Sequence, residues 1–117
     1  TPNVKYLINL YDKERTNIEQ MEIQRIVQKY FPNVNIYDEL FVINNFFYNW
    51  GHKFIYDFKI LTQSMRHNGF ININENSVSE SDDVNFRELE YHGVIIGEEI
   101  NKLQTFVLEA TKPYYPL

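Results

Sequence analysis

The apolar periodicity of this chain changes character at Asn68-Gly69, and that change limits what it can fold into. Ahead of it, apolar residues recur every three or four positions, as on one face of a helix. Behind it they alternate: Ile71 and Ile73 are interleaved with Asn72 and Asn74, a strand with one wet face. A second alternating run, "KLQTFVLEAT", sets Phe106, Leu108 and Ala110 against Thr105, Val107 and Glu109. Strands are therefore expected at 70–78 and 103–111, and "HKFIY" (52–56) reads as extended. Two strands do not make an independently stable sheet, so something must complete them.

The helical part carries its own punctuation. Thr1-Pro2 reads as an N-cap followed by proline at the first helical position, opening a helix over 2–12. Thr16-Asn17-Ile18-Glu19 has capping-box spacing, and a stripe of Ile23, Ile26, Val27 and Tyr30 follows until Pro32 stops it. Asp38 is placed to cap a third helix, with Leu40, Ile43, Phe47 and Trp50 on its core face and Val42 and Phe46 widening the arc. Gly51 ends that helix. Asp57 caps a fourth through Phe58, Leu61 and Met65, closed by a left-handed stop at Asn68-Gly69. "VNFRELEYH" reads as a short helix before Gly93, after the solvated acidic loop "SESDD".

A length of 117 residues suits a single domain, 1–117, or a fragment of one, with helices over 1–56 and a helix plus two strands over 57–117. With 44% apolar residues the composition is globular. The 16 acidic against 11 basic residues, with no Lys/Arg cluster, lack the footprint of a phosphate-backbone binder, so nucleic acid is not an expected partner. The absence of cysteine removes disulfides and thiolate ligands and fits a reducing, cytoplasmic setting. No apolar run is long enough to span a membrane, and none is expected as a partner. The opening Thr-Pro-Asn, without methionine, reads as a processed or truncated start.

The densest chemistry lies in "NNFFYNWGHKFIYDF", Asn44 to Phe58, where eight of fifteen residues are Phe, Tyr, Trp or Ile. His52 has two readings. It is either a base that takes a proton from an attacking oxygen or nitrogen, or a ring that hydrogen-bonds a carbonyl beyond the glycine stop. Asn44 and Asn45 lie off the main stripe, where they either orient a polar substrate group or form a solvated helix flank. Tyr48 and Tyr56, with polar tips, are pocket candidates, whereas Phe47 and Trp50 read as core. His67 and His92 fit favourable places near helix C-termini. "ESDD" at 80–83 lacks the spaced ligands of a calcium loop, and no metal is expected.

Taken together, "VINNFFYNWGHKFIYD" (42–57), "NGF" (68–70), "ESDD" (80–83), "LEYHG" (89–93) and "GEEINKLQTFVLEATKP" (97–113) resemble the C-terminal half of a class I S-adenosylmethionine-dependent methyltransferase. The likeness is to the small bacterial predicted methyltransferases of the "type 11" group. It implies an α/β fold: the C-terminal part of a Rossmann-like sheet with strand order 3-2-1-4-5-7-6, built from four to five helices and an antiparallel pair. Thr1-Pro2-Asn3 would lie just past the fifth strand, 70–78 would be the sixth and 103–111 the seventh. Residues 3–56 would be a helical excursion covering the substrate. His52 would then be the catalytic residue, and Asn44, Asn45, Tyr48 and Tyr56 would bind the methyl acceptor, a small molecule or one of unknown class.

The resemblance also implies what this chain lacks. Its four glycines form no G-x-G, so the donor-binding strands are outside it. S-adenosylmethionine is expected in the full-length enzyme and not in this chain, which alone should be inactive. A competing reading is a non-catalytic binding or assembly module. In either case a bare strand edge at 103–111 is expected to pair with another copy, or helices 2–31 to exchange between copies.

Overall fold

The computed structural model describes residues 1–89 and 92–114, and these divide into two compact units, Val4–Ile55 and Thr1–Asn3 with Tyr56 onward. Among the described residues there are six α-helices and one two-stranded antiparallel sheet, a mixed α/β composition. None of these helices is long and apolar enough to cross a membrane.

The first unit is all-helical: α1 (Val4–Asp12), α2 (Asn17–Tyr30) and α3 (Glu39–Tyr48). The Thr16 hydroxyl accepts from the Glu19 amide at 3.2 Å while the Thr16 amide donates to the Glu19 carboxylate at 3.0 Å, a complete capping box. Asp38 caps α3 by accepting from the Leu40 amide at 2.9 Å. Leu7 and Leu10 of α1 meet Ile23, Ile26 and Val27 of α2 and Val42 and Phe46 of α3 in one core. Burial of each such side chain contributes on the order of 2 kcal/mol.

The face of α3 that enters this core is not the expected one. Val42, Asn45 and Phe46 are buried, whereas Leu40, Phe47 and Trp50 are 51, 44 and 48% exposed. The apolar arc of α3 is so wide that periodicity alone does not choose a side. Packing against α1 and α2 selects the narrower stripe.

In the second unit, α4 (Phe58–His67) is capped by Asp57, which accepts from the Ile60 amide at 2.8 Å. It ends in a Schellman motif: Phe70 N–H donates to the Met65 carbonyl and Gly69 N–H to that of Arg66, with Gly69 at φ +86°. Next come β1 (Ile71–Asn76), a 3₁₀ turn at Val84–Phe86, α5 (His92–Ile96), α6 (Glu98–Gln104) and β2 (Val107–Thr111). Helix α4 packs on both strands. The pairing runs Ile71↔Thr111 but Asn74↔Glu109, so one extra residue bulges from β1, with Asn72 in the left-handed region at φ +51°. The bulge breaks the expected Ile71/Ile73 alternation and leaves Ile71 46% exposed.

Four sequence expectations are corrected here. Both strands are shorter than 70–78 and 103–111, and the start of the second is taken by α6, in which Ile100, Asn101 and Gln104 share a buried helical face and Glu98 and Glu99 occupy the first turn, where the helix dipole favours acid. The "VNFRELEYH" helix reduces to the 3₁₀ turn, with Glu88 left-handed at φ +56°, while Glu90 and Tyr91 lie outside the described residues. His92 begins a helix and does not end one. Thr1-Pro2 does not cap α1 either. Thr1–Asn3 is extended, with Pro2 bridging Thr105 antiparallel and Asn3 bridging Tyr56 in parallel.

Candidate functional site

The aromatic segment folds around Phe46, a side chain 5% exposed. Helix α3 closes with the Asn49 amide donating to the Asn45 carbonyl at 2.9 Å. Trp50 and Gly51 then both adopt left-handed backbone, φ +57° and +74°. For glycine this is free; for tryptophan it carries steric cost, held in place by what the ring touches. The turn sends the chain back along the helix end and brings the His52 ring over Phe46, with centroids 6.1 Å apart and planes at 26°.

His52 Nδ1 lies 2.7 Å from the Phe46 carbonyl oxygen. A carbonyl only accepts, so the proton of the neutral ring sits on Nδ1 and the lone pair on Nε2. The same contact satisfies one of the orphan carbonyls at the end of α3. The two readings of His52 therefore do not compete: the structural bond fixes the tautomer that a base needs.

Trp50 completes the group. Its ring meets Phe46 edge-on at 5.2 Å and Tyr30 edge-on at 5.5 Å, and its indole N–H donates to the Tyr30 hydroxyl at 3.3 Å. It also stands at 71° to His52, centroids 6.0 Å apart. Trp50 is thus a half-exposed wall beside His52, not the core residue its spacing suggested. The only sequence signal for this was its place beside Gly51, past the last helical turn.

The remaining candidates scatter. Asn44 and Tyr48 share one exposed face of α3, four residues apart; the Asn44 amide donates to the Leu40 carbonyl at 2.8 Å, and Tyr48 is 84% exposed. Asn45 is on the buried side, 1% exposed, where its Oδ1 accepts from Asn49 and its Nδ2 has no hydrogen-bond partner. Tyr56 belongs to the sheet unit, through its bridge to Asn3. The fold thus groups His52 with Trp50 and Tyr30, pairs Asn44 with Tyr48, and sets Asn45 inside the core.

The first unit also holds an ion pair whose acidic partner is buried and whose basic partner is partly exposed. Arg25 makes a two-pronged contact to Glu22, at 2.8 and 2.6 Å, with Glu22 5% exposed. The hydrogen bond to Glu22 holds the Arg25 guanidinium above its usual range, against the opposing effect of burial. Burial, reinforced by the Glu22 and Glu19 carboxylates, pushes the Tyr6 phenol well upward. The Tyr6 hydroxyl has no hydrogen-bond partner.

Among the described residues no three His, Asp or Glu side chains converge as metal ligands. Asp83 of "ESDD" caps the 3₁₀ turn by accepting from the Asn85 amide at 2.9 Å. The glycines do not fit a nucleotide cradle. Gly51 and Gly69 follow helices and Gly97 precedes one, all at positive φ, while Gly93 packs against the Glu98 carboxylate. The chain matches no protein family, no curated protein and no solved structure.

Proposed function

We propose that this chain is the substrate-side, C-terminal portion of a class I S-adenosylmethionine-dependent methyltransferase, with the donor-binding strands outside it. One observation carries the reading. The backbone at Thr1–Asn3 lies against residues 104–106, antiparallel, and β2 in turn pairs antiparallel with β1. The order first segment, β2, β1 is that of the fifth, seventh and sixth strands at the border of such a sheet. The chain then leaves at Asn3, forms the helical unit Val4–Ile55, and returns at Tyr56 beside Asn3. An excursion at that point is where the resemblance puts the substrate cover.

In this reading His52 is the base. Its Nε2 takes a proton from an acceptor hydroxyl or amine, while Nδ1 stays committed to the Phe46 carbonyl. Trp50 and the Asn44–Tyr48 face supply the apolar and polar contacts to the acceptor. No donor contact is assigned to the residues of this chain.

The test is methyl transfer by the product of the complete reading frame, with His52→Ala and His52→Asn variants. Turnover should fall in both while donor affinity stays within about twofold, the pattern of a group used only in the chemical step. An equal loss of turnover and donor affinity would make His52 structural and remove it from the site.

A further inference from the structure

Away from His52, three unpaired charged residues line one cavity. It measures about 460 Å³ and lies within the sheet-bearing unit, between the end of β1 and the junction of α6 with β2. That volume falls in the lower part of the range of small-molecule pockets. Glu75 comes to it from β1, Glu80 from the turn that follows, and Lys102 from the last turn of α6.

The turn after β1 is held by its backbone. The Glu80 amide donates to the Ser77 carbonyl at 3.0 Å, Ser79 is left-handed at φ +65°, and the Glu88 amide donates to the Ser79 carbonyl at 3.0 Å. This reversal returns Glu80 to the cavity that Glu75 already lines. The apolar part of the lining is Val78 and Phe106, both buried. The Thr105 hydroxyl spends its proton on Asn101 Oδ1 at 2.9 Å, so it offers the cavity only an acceptor.

Lys102 stands beyond salt-bridge distance of both glutamates, and none of the three has an ion-pair partner among the described residues. Opposite charges that share a cavity without closing on each other suit a ligand that carries both signs. Other classes fit worse. A phosphate ester would meet two carboxylates, and a diamine would meet the Lys102 ammonium. A wholly apolar molecule would take water from three charges and replace none of it.

We propose that this cavity binds a free α-amino acid with an apolar side chain. The ligand ammonium, with three donors, is shared between Glu75 and Glu80, and the ligand carboxylate accepts from Lys102 Nζ. The apolar side chain lies against Val78 and Phe106. None of these residues belongs to the His52 site, and the binding does not depend on methyl transfer.

The experiment is a two-dimensional NMR titration of the 117-residue chain with L-leucine, L-leucinamide and N-acetyl-L-leucine. Leucine should shift the amide resonances of Val78, Lys102 and Phe106 saturably, with Kd below about 10 mM. Leucinamide lacks the carboxylate and N-acetylleucine the ammonium; each should bind about tenfold more weakly, the effect of one charge-assisted hydrogen bond. Lys102→Met should weaken leucine by the same factor and leave leucinamide no weaker. Glu80→Gln should weaken leucine and leave N-acetylleucine no weaker. Both side chains are exposed, so neither change removes a core contact, and unchanged resonances elsewhere report an intact fold. The absence of saturable shifts up to about 10 mM leucine would overturn the proposal. So would equal binding of all three ligands, or a Lys102→Met chain that binds leucine as the parent does.

Discussion

His52 reaches back six residues to the carbonyl of Phe46, its Nδ1 2.7 Å from the oxygen. Asparagine at this position keeps an N–H donor near the place of Nδ1 but has nothing equivalent to Nε2. His52→Ala should destabilise the helical unit by about 1–2 kcal/mol, through a lost hydrogen bond and an unsatisfied carbonyl. His52→Asn should restore about half of that. The single tryptophan lies against His52, so its fluorescence in urea unfolding reports the change directly. Equal stability of His52→Ala and the parent would remove the structural part of the argument.

Tyr6 offers a cleaner separation. Its hydroxyl is buried without a partner and its ionisation is pushed up by burial and by Glu22. The folded protein therefore keeps the phenol protonated where the unfolded chain has begun to release it. Stability from this group is full below the ordinary tyrosine range, near 10. It is lost as pH rises through and beyond that value. Tyr6→Phe should flatten this alkaline decline. At neutral pH it should leave stability unchanged or raise it by up to about 1 kcal/mol, since it removes an unsatisfied buried group. Melting temperatures at pH 7 and pH 10.5 check both signs.

Glu22 and Arg25 are unequal partners, with side chains 5% and 41% exposed. Removing the cation leaves a buried carboxylate without its partner, whereas removing the anion leaves a guanidinium that can turn to water. Arg25→Met should cost about 2 kcal/mol, below the range for fully buried pairs because Arg25 is partly solvated. Glu22→Gln should cost about 1 kcal/mol. Chemical denaturation of the two variants gives the order, and a reversed order would contradict the account.

The local signals in the sequence translated well into structure because each is closed by neighbours in the chain. Thr16, Asp38 and Asp57 cap where their spacing placed them, and Asn68-Gly69 ends α4 in the expected left-handed turn. The misses have non-local causes. Thr1-Pro2 has helix-start chemistry, yet its backbone is satisfied about a hundred residues away, by Gln104–Phe106. The strand expected at 103–111 starts later, because residues 103–104 finish a helix whose Ile100, Asn101 and Gln104 are buried together on one side. The face of α3 was settled by α1 and α2, which turned Phe47 and Trp50 outward and Asn45 inward.

For the site, the segment that holds His52 was visible as a concentration of rings, but its geometry was not. The reversal at Trp50-Gly51 depends on two consecutive left-handed residues, one of them a tryptophan whose sequence gives no hint of that conformation. The Tyr30 contact, twenty residues from Trp50 in the chain, is a product of helix packing.

The central claim is that these strands border the sheet of a methyltransferase whose donor site lies elsewhere. Calorimetric titration of S-adenosylmethionine into the 117-residue chain and into the product of the complete reading frame tests it most directly. The account predicts no binding heat for the first and saturable one-to-one binding, with micromolar Kd, for the second. Binding by the 117-residue chain alone, or none by the complete product, would contradict it.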